Sequence, residues 1–150
     1  PGVQAAAGVA AVAGHNWSPY LGFQGGRGVA HAIGFMLAVS WPALGAFIAI
    51  SLLGVRRKQI PQFVGLGILA TPLVARIFGQ PREIVRGLAA MAALIFAKRL
   101  LTNHPALPPG ASAGRVLLNR LLYDRDTTER DEWVRRGLDE GRAGEGQSDG

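Results

Sequence analysis

The side chains best suited to chemistry lie between residues 14 and 31. Gly22, Gly25, Gly26 and Gly28 surround one cation, Arg27, with His15 upstream and His31 one helical turn beyond. Glycine has no Cβ, so backbone N–H groups can converge on an anion, and arginine adds a two-pronged charge. A helix beginning at Val29 would set the same anion at a helix N-terminus, where orphan N–H groups and the helix dipole favour negative charge. No Gly-Lys-Ser/Thr follows, which excludes a Walker loop. No βαβ pattern surrounds the glycines, which excludes a dinucleotide fingerprint. A tight interhelical turn whose glycines only permit close packing is the competing reading. Because the loop sits between two apolar segments, it points to a phosphate-bearing substrate handled at a lipid surface.

Three histidines occur. His15 could orient a phosphate or take the proton from an attacking hydroxyl, and its plainer reading is an interfacial residue at a helix end. His31 could face the anion held by Arg27. His104, before Pro105, reads as part of a linker. Their spacing is not that of metal ligands and no carboxylates accompany them, so no metal or cofactor is expected.

The elements that position these residues follow from charge. Up to Gly110 the 150-residue chain has nine basic residues and one acid, Glu83; beyond it come seven basic residues and nine acids. Despite a pI near 11.0, the bases form short groups between apolar runs, as in the loops of a membrane protein rather than a nucleic-acid-binding face. Residues 1–26, 28–55 and 59–75 carry no formal charge. About 20 apolar residues cross a bilayer as a helix, whereas a soluble bundle scatters charge at helical spacing. A very apolar soluble bundle is the alternative. No cysteine is present, so disulfide and thiol chemistry is excluded.

Gly2–Ala13 is expected to end a transmembrane helix rich in small residues, with a loop over residues 14–27. Gly28–Gly54 contains Ser40-Trp41-Pro42, and proline both lacks an N–H and restricts its predecessor, so a turn is expected at Trp41-Pro42. Two half-length helices would then return Arg27 and Arg56-Arg57-Lys58 to one side, which the positive-inside rule makes cytoplasmic; one kinked span of about 27 residues, with Arg27 on the opposite side, is the alternative. Ile60–Phe78 is the next span, with Thr71-Pro72 tolerated if neighbours satisfy the freed carbonyl. Glu83–Leu101 follows, with Arg86 snorkelling near an interface. Trp17, Tyr20 and Trp41 read as interfacial aromatics. Pro105–Gly110 is a stiff linker. Ser112 could cap a helix over Arg115–Tyr123, and Asp126-Thr127-Thr128-Glu129 fits a capping box for a helix reaching Leu138. Gly141–Gly150 is expected to be disordered. The expected organisation is a polytopic helical domain over 1–104, a cytoplasmic helical tail over 105–140 and a disordered end over 141–150. In all, the fold class is an all-α integral membrane protein of four to five transmembrane or half-length helices plus that tail.

Gly14-His15, an aromatic, Pro19, Phe23 and then Gly25-Gly26-Arg27-Gly28-Val29-Ala30 resemble the second signature of the bacterial acyl-phosphate-dependent glycerol-3-phosphate acyltransferases, the PlsY family. Ser40-Trp41-Pro42 and the basic residues before the next span extend the resemblance over about residues 5–103. Arg27 stands where the family has lysine, exchanging a point charge for a fork, and His31 stands where threonine is usual. Of the third signature, an Arg-His-Arg-Glu-Asn run, the chain keeps Lys98, Arg99 and Asn103 without the glutamate. The first signature, a Ser-Gly-Asn-x-Gly-Ala-Thr-Asn run, would lie upstream of Pro1, and the chain is read as N-terminally incomplete.

The resemblance implies an enzyme of phospholipid biosynthesis in the bacterial plasma (inner) membrane, multi-pass, with its site facing the cytoplasm. The expected reaction moves an acyl group from acyl phosphate to the 1-hydroxyl of glycerol 3-phosphate and yields lysophosphatidic acid. His15 and Arg27 are the expected catalytic residues. Gly25, Gly26, Arg27, Gly28, His31, Lys98, Arg99 and Asn103 are expected to bind phosphate. The partners are glycerol 3-phosphate, acyl phosphate and membrane lipid, without nucleic acid or metal. A noncatalytic relative that binds an anionic lipid or a partner protein is the second reading. A small transporter is weaker, because no charge lies mid-span to pair with an ion.

Overall fold

The computed structural model describes residues 1–23, 25–101 and 112–123. Among them every regular element is helical. In chain order these are α1 (Gly2–Asn16), a 3-10 turn (Pro19–Leu21), α2 (Val29–Val39), α3 (Trp41–Arg56), α4 (Ile60–Ile77), α5 (Arg82–Leu100) and α6 (Ala113–Tyr123). The chain divides into two compact units, Pro1–Pro105 and Ala106–Gly150. Within the first, α1 packs on α2 and α5, and α4 packs on α3 and α5. Its core joins Val12 of α1, Phe35 and Met36 of α2, Phe47 of α3, Ile68 of α4, and Leu88, Met91 and Ile95 of α5. In the second, α6 covers the helix expected over Arg115–Tyr123 and starts two residues earlier. The capping-box helix, the terminal residues 141–150, Asn103 and His104 lie outside the described residues.

Two details differ from the sequence reading. The loop was expected from Gly14, yet α1 continues through Asn16. No proline interrupts α1, since the next after Pro1 is Pro19. Asn16 is fully buried and donates from Nδ2 to Leu94 O on α5 (3.4 Å), which holds the last turn down. The turn expected at Trp41-Pro42 falls instead at Ser40 alone (φ −156, ψ 88), and Trp41 and Pro42 open α3. Proline is well placed there, since the first-turn N–H groups of a helix have no intrahelical partner. Buried Ser40 Oγ accepts from Ala43 N (3.4 Å) and caps the new helix.

Phe35 shows how closely the helices approach. A Cβ on Gly8 of α1 would overlap its ring, and one on Gly87 of α5 would lie 3.2 Å from its Cζ. The ring therefore lies between two glycines where three helices meet. Outward, the bundle presents Leu37, Ile48, Leu52, Leu66, Leu69, Leu73 and Ile77, all exposed. Among the described residues one helix, α4, is long and apolar enough to cross a membrane, with a mean hydropathy of 1.5 over its 18 residues, and α2 and α3 are shorter apolar helices.

Candidate anion site at one end of the bundle

The end of α1, the loop that follows and the last turn of α5 meet here. Gly28 is the N-cap of α2 in the left-handed region (φ 71) and offers no side chain to the first-turn N–H groups. That geometry leaves helix-terminal donors for an external acceptor. A Cβ at Gly28 would lie 2.6 Å from Asn16 Oδ1 and 3.0 Å from Val12 Cγ1. At Gly25 it would strike His15 O and lie 2.7 Å from Asn16 O, and at Gly26 it would strike His15 Nε2. The loop thus lies directly on the last turn of α1, with helix backbone facing Gly25 and the end of the His15 ring facing Gly26. Both Gly22 (φ 57) and Phe23 (φ 64) are left-handed, a costly backbone for phenylalanine and one that clusters at functional loops.

His15, half-buried on α1, and His31, exposed on α2, stack with ring centroids 4.2 Å apart. Lys98 and Arg99, both buried, reach the same region from α5. Lys98 Nζ lies 5.6 Å from the centre of the Trp17 ring, within cation–π range. Trp17 is therefore half-buried beside a cation, whereas Tyr20 and Trp41 are exposed. Arg99 donates from Nη2 to Pro61 O (3.2 Å), and its Cζ lies 5.3 Å from the Phe96 ring centre.

The Arg99–Pro61 bond also joins the end of α5 to the start of α4, directly after Arg56-Arg57-Lys58. The loop and both later basic groups therefore share one end of the bundle, as two half-length helices meeting at Ser40 require. Of the expected site residues, Gly25, Gly26 and Gly28 lie against the end of α1, His15 stacks on His31, Arg27 follows Gly26 in the loop and Lys98 lies beside Trp17; Arg99 turns to Pro61 O and Phe96, and Asn103 lies outside the described residues. Among the described residues no group of three or more His, Asp or Glu could hold a metal ion.

Sequence reasoning missed Asn16. Its Oδ1 is buried without a hydrogen-bond partner among the described residues. Leu94 O can only accept, so the amide nitrogen must face it and the oxygen must face Gly28. No spacing rule marks such a residue; the signal was an amide side chain within an otherwise apolar helix end.

A helical bundle that gathers a glycine loop, two histidines and the basic residues Arg27, Lys98 and Arg99 at one end, with Arg56-Arg57-Lys58 at the same end, is suited to holding a multiply charged anion. Comparison with known proteins narrows the class. A family model for glycerol-3-phosphate acyltransferase matches residues 2–106. Glycerol-3-phosphate acyltransferase 4 of Dehalococcoides mccartyi (strain CBDB1) is 30% identical over 140 residues, covering 89% of this chain and 60% of that protein. The glycerol-3-phosphate acyltransferase of Shouchella clausii (strain KSM-K16) is 39% identical over 115 residues, covering 73% of this chain and 56% of that protein. That of Synechococcus sp. (strain JA-3-3Ab) is 41% identical over 76 residues, covering 50% and 37%. The chain belongs to the glycerol-3-phosphate acyltransferase family and is PlsY-like. It spans about 60% of the length of the first of these relatives. No solved structure matches it.

Proposed function

We propose that the protein transfers an acyl group from an acyl phosphate to the 1-hydroxyl of glycerol 3-phosphate, releasing inorganic phosphate and leaving lysophosphatidic acid. The observation that supports this reading is the seating of the Gly25–Gly28 loop, with Arg27 in it, on His15 and Asn16 at the N-terminal end of α2, with Lys98 beside Trp17 at the end of α1. The hydroxyl oxygen attacks the acyl carbon, a new C–O ester bond forms, and the bond from that carbon to the phosphate oxygen breaks. His15 takes the hydroxyl proton. Arg27 and the backbone N–H groups from Gly25 to Gly28 hold a phosphate and offset the charge growing on the leaving group. His31, Lys98, Arg99 and Asn103 hold the phosphates in place, Arg99 also tying α5 to α4. No covalent intermediate is required, so transfer is direct.

The protein does this in the bacterial plasma membrane, as a multi-pass protein whose site faces the cytoplasm. The apolar length of α4 and the exposed leucines and isoleucines around the bundle support that reading, since so much exposed apolar surface marks a membrane or protein contact. Glycerol 3-phosphate, acyl phosphate and membrane lipid are its partners. The test is formation of labelled lysophosphatidic acid by the protein reconstituted in lipid vesicles with radiolabelled glycerol 3-phosphate and an acyl phosphate. Activity with acyl phosphate and none with acyl thioesters is the expected result. An active protein whose Arg27→Ala form keeps its full rate would remove the loop from the mechanism, and a chain inactive with every donor would favour a noncatalytic relative.

A further inference from the structure

Helix α6 (Ala113–Tyr123) lies beyond residues 2–106, the span of the family model, and acyl transfer as proposed makes no use of it. Its buried residues are Val116 and Arg120, which share one face at helical spacing. At about 100° per residue, the opposite side of the helix is an arc of Leu117, Leu118, Leu121 and Leu122. Leu117, Leu118 and Leu122 are exposed. Arg115 is exposed too and comes next to Leu122 around the helix, at the edge of that arc. Charge marks the same stretch. Between Glu83 and Asp124 every formally charged residue is basic: Arg86, Lys98, Arg99, Arg115 and Arg120. Signs mix only from Asp124 onward, immediately past the end of α6.

We infer that α6 lies flat in the surface of an anionic bilayer, its leucines among the acyl chains and Arg115 at the lipid phosphates. The inference rests on the membrane placement of the bundle proposed above and adds a second, peripheral contact with lipid. A helix of 11 residues is about 16 Å long, roughly half of what a span needs, so α6 cannot cross. A helix with one apolar face and a cationic border is what interfacial segments present to lipid. Arginine suits that border, because its stem lies along apolar surface while its head meets phosphate. Leu100 ends α5 and Ala113 opens α6, and a chain of that separation spans at most about 45 Å. The leucine face is therefore tethered within reach of the bilayer that holds the bundle. Any other partner would have to compete with a lipid surface always at hand.

The chain has no cysteine, so single spin labels can be placed in the full protein, reconstituted in vesicles of phosphatidylglycerol and phosphatidylcholine. Leu118→Cys and Leu122→Cys report the leucine arc, Ser112→Cys the exposed helix start, and Leu69→Cys the exposed face of α4. Collision rates with oxygen and with a nickel chelate give the depth of each label. Labels at 118 and 122 should lie about 5–10 Å into the boundary between headgroups and acyl chains, with the label at 112 in water. In phosphatidylcholine alone both leucine-arc labels should move toward water, since Arg115 loses its anionic counterpart. Depths unaltered by that exchange would overturn the part given to Arg115. A label at 118 in water, with the label at 69 in lipid, overturns the inference and leaves the membrane bundle standing. Spin–spin coupling between copies labelled at 118, without lipid contact, shows a second chain on the leucines and overturns it equally. A label at 69 in water would instead remove the membrane placement on which the inference rests.

Discussion

The imidazoles of His15 and His31 stack at 4.2 Å with an interplanar angle of 28°, joining the end of α1 to the first turn of α2 across the loop. His15 is confined on its other side, where its Nε2 lies against Gly26. In the proposed reaction, where His15 is the base, confinement on two sides would give it one orientation to substrate, and such preorganisation is where much of a catalyst's advantage resides. On that reading His31 would serve the site through His15 as well as through any contact with phosphate.

Replacing His31 separates those two contributions. His31→Ala removes both ring and nitrogen, while His31→Phe keeps a stacking surface. Aromatic pairs contribute roughly 1 kcal/mol beyond area burial, so the phenylalanine variant should retain about fivefold more kcat/KM than the alanine variant. Equal losses in steady-state assays would show that stacking does not orient His15.

The loop glycines should fail in different ways. At Gly25 an added methyl meets the carbonyl oxygens of His15 and Asn16, which belong to a helix backbone and cannot swing aside. Gly25→Ala should therefore lower thermal stability by about 1–3 kcal/mol and activity by about 100-fold. At Gly26 the methyl meets only the tip of the His15 side chain, which can rotate away. Gly26→Ala should keep the wild-type Tm and lose activity through displacement of His15. Parallel melting curves and rates on the two proteins check the distinction.

Arg27 and Arg99 carry the same charge in different settings. Arg27→Ala should cost about 100- to 1,000-fold in kcat/KM, as removal of a donor to developing charge does, and Arg27→Lys should recover most of it. Arg99 is 3% exposed and donates to Pro61 O, so Arg99→Ala should show itself first as a lowered Tm. A rate loss without destabilisation in Arg99→Ala would mean that it acts chiefly on phosphate.

The helical plan was readable because uncharged runs, prolines and glycines punctuate the chain strongly. The sequence reading begins the loop at Gly14, whereas α1 runs on to Asn16. What overrides it is tertiary, the bond from Asn16 to Leu94 O, 78 positions away. Spacing drew attention to Gly25, Gly26, Arg27 and Gly28 without separating an anion loop from a tight turn, and His15 entered through the family resemblance. The pairing of Lys98 with Trp17 and the seating of Phe35 between Gly8 and Gly87 were not legible, since both depend on how α1, α2 and α5 cross. Pattern within one helix does not report that.

Thr71 and Pro72 form the other legible pair, and their geometry yields a sharp test. In a continuous helix Ile68 O would accept from the N–H of residue 72, which proline lacks. Buried Thr71 Oγ1 instead donates to Ile68 O at 2.7 Å. The hydroxyl takes the place of the missing backbone donor and lets α4 run unbroken from Ile60 to Ile77. Thr71→Val has the same shape without the donor and leaves a buried carbonyl unpaired, at a cost of about 1–3 kcal/mol. In a Pro72→Ala background the backbone N–H returns, and the same substitution should cost less than about 1 kcal/mol. Denaturant melts of the four proteins in detergent should therefore give a coupling energy of about 1–2 kcal/mol. Strict additivity would show that Ile68 O does not depend on Thr71, and the continuity of α4 past Pro72 would then need another source.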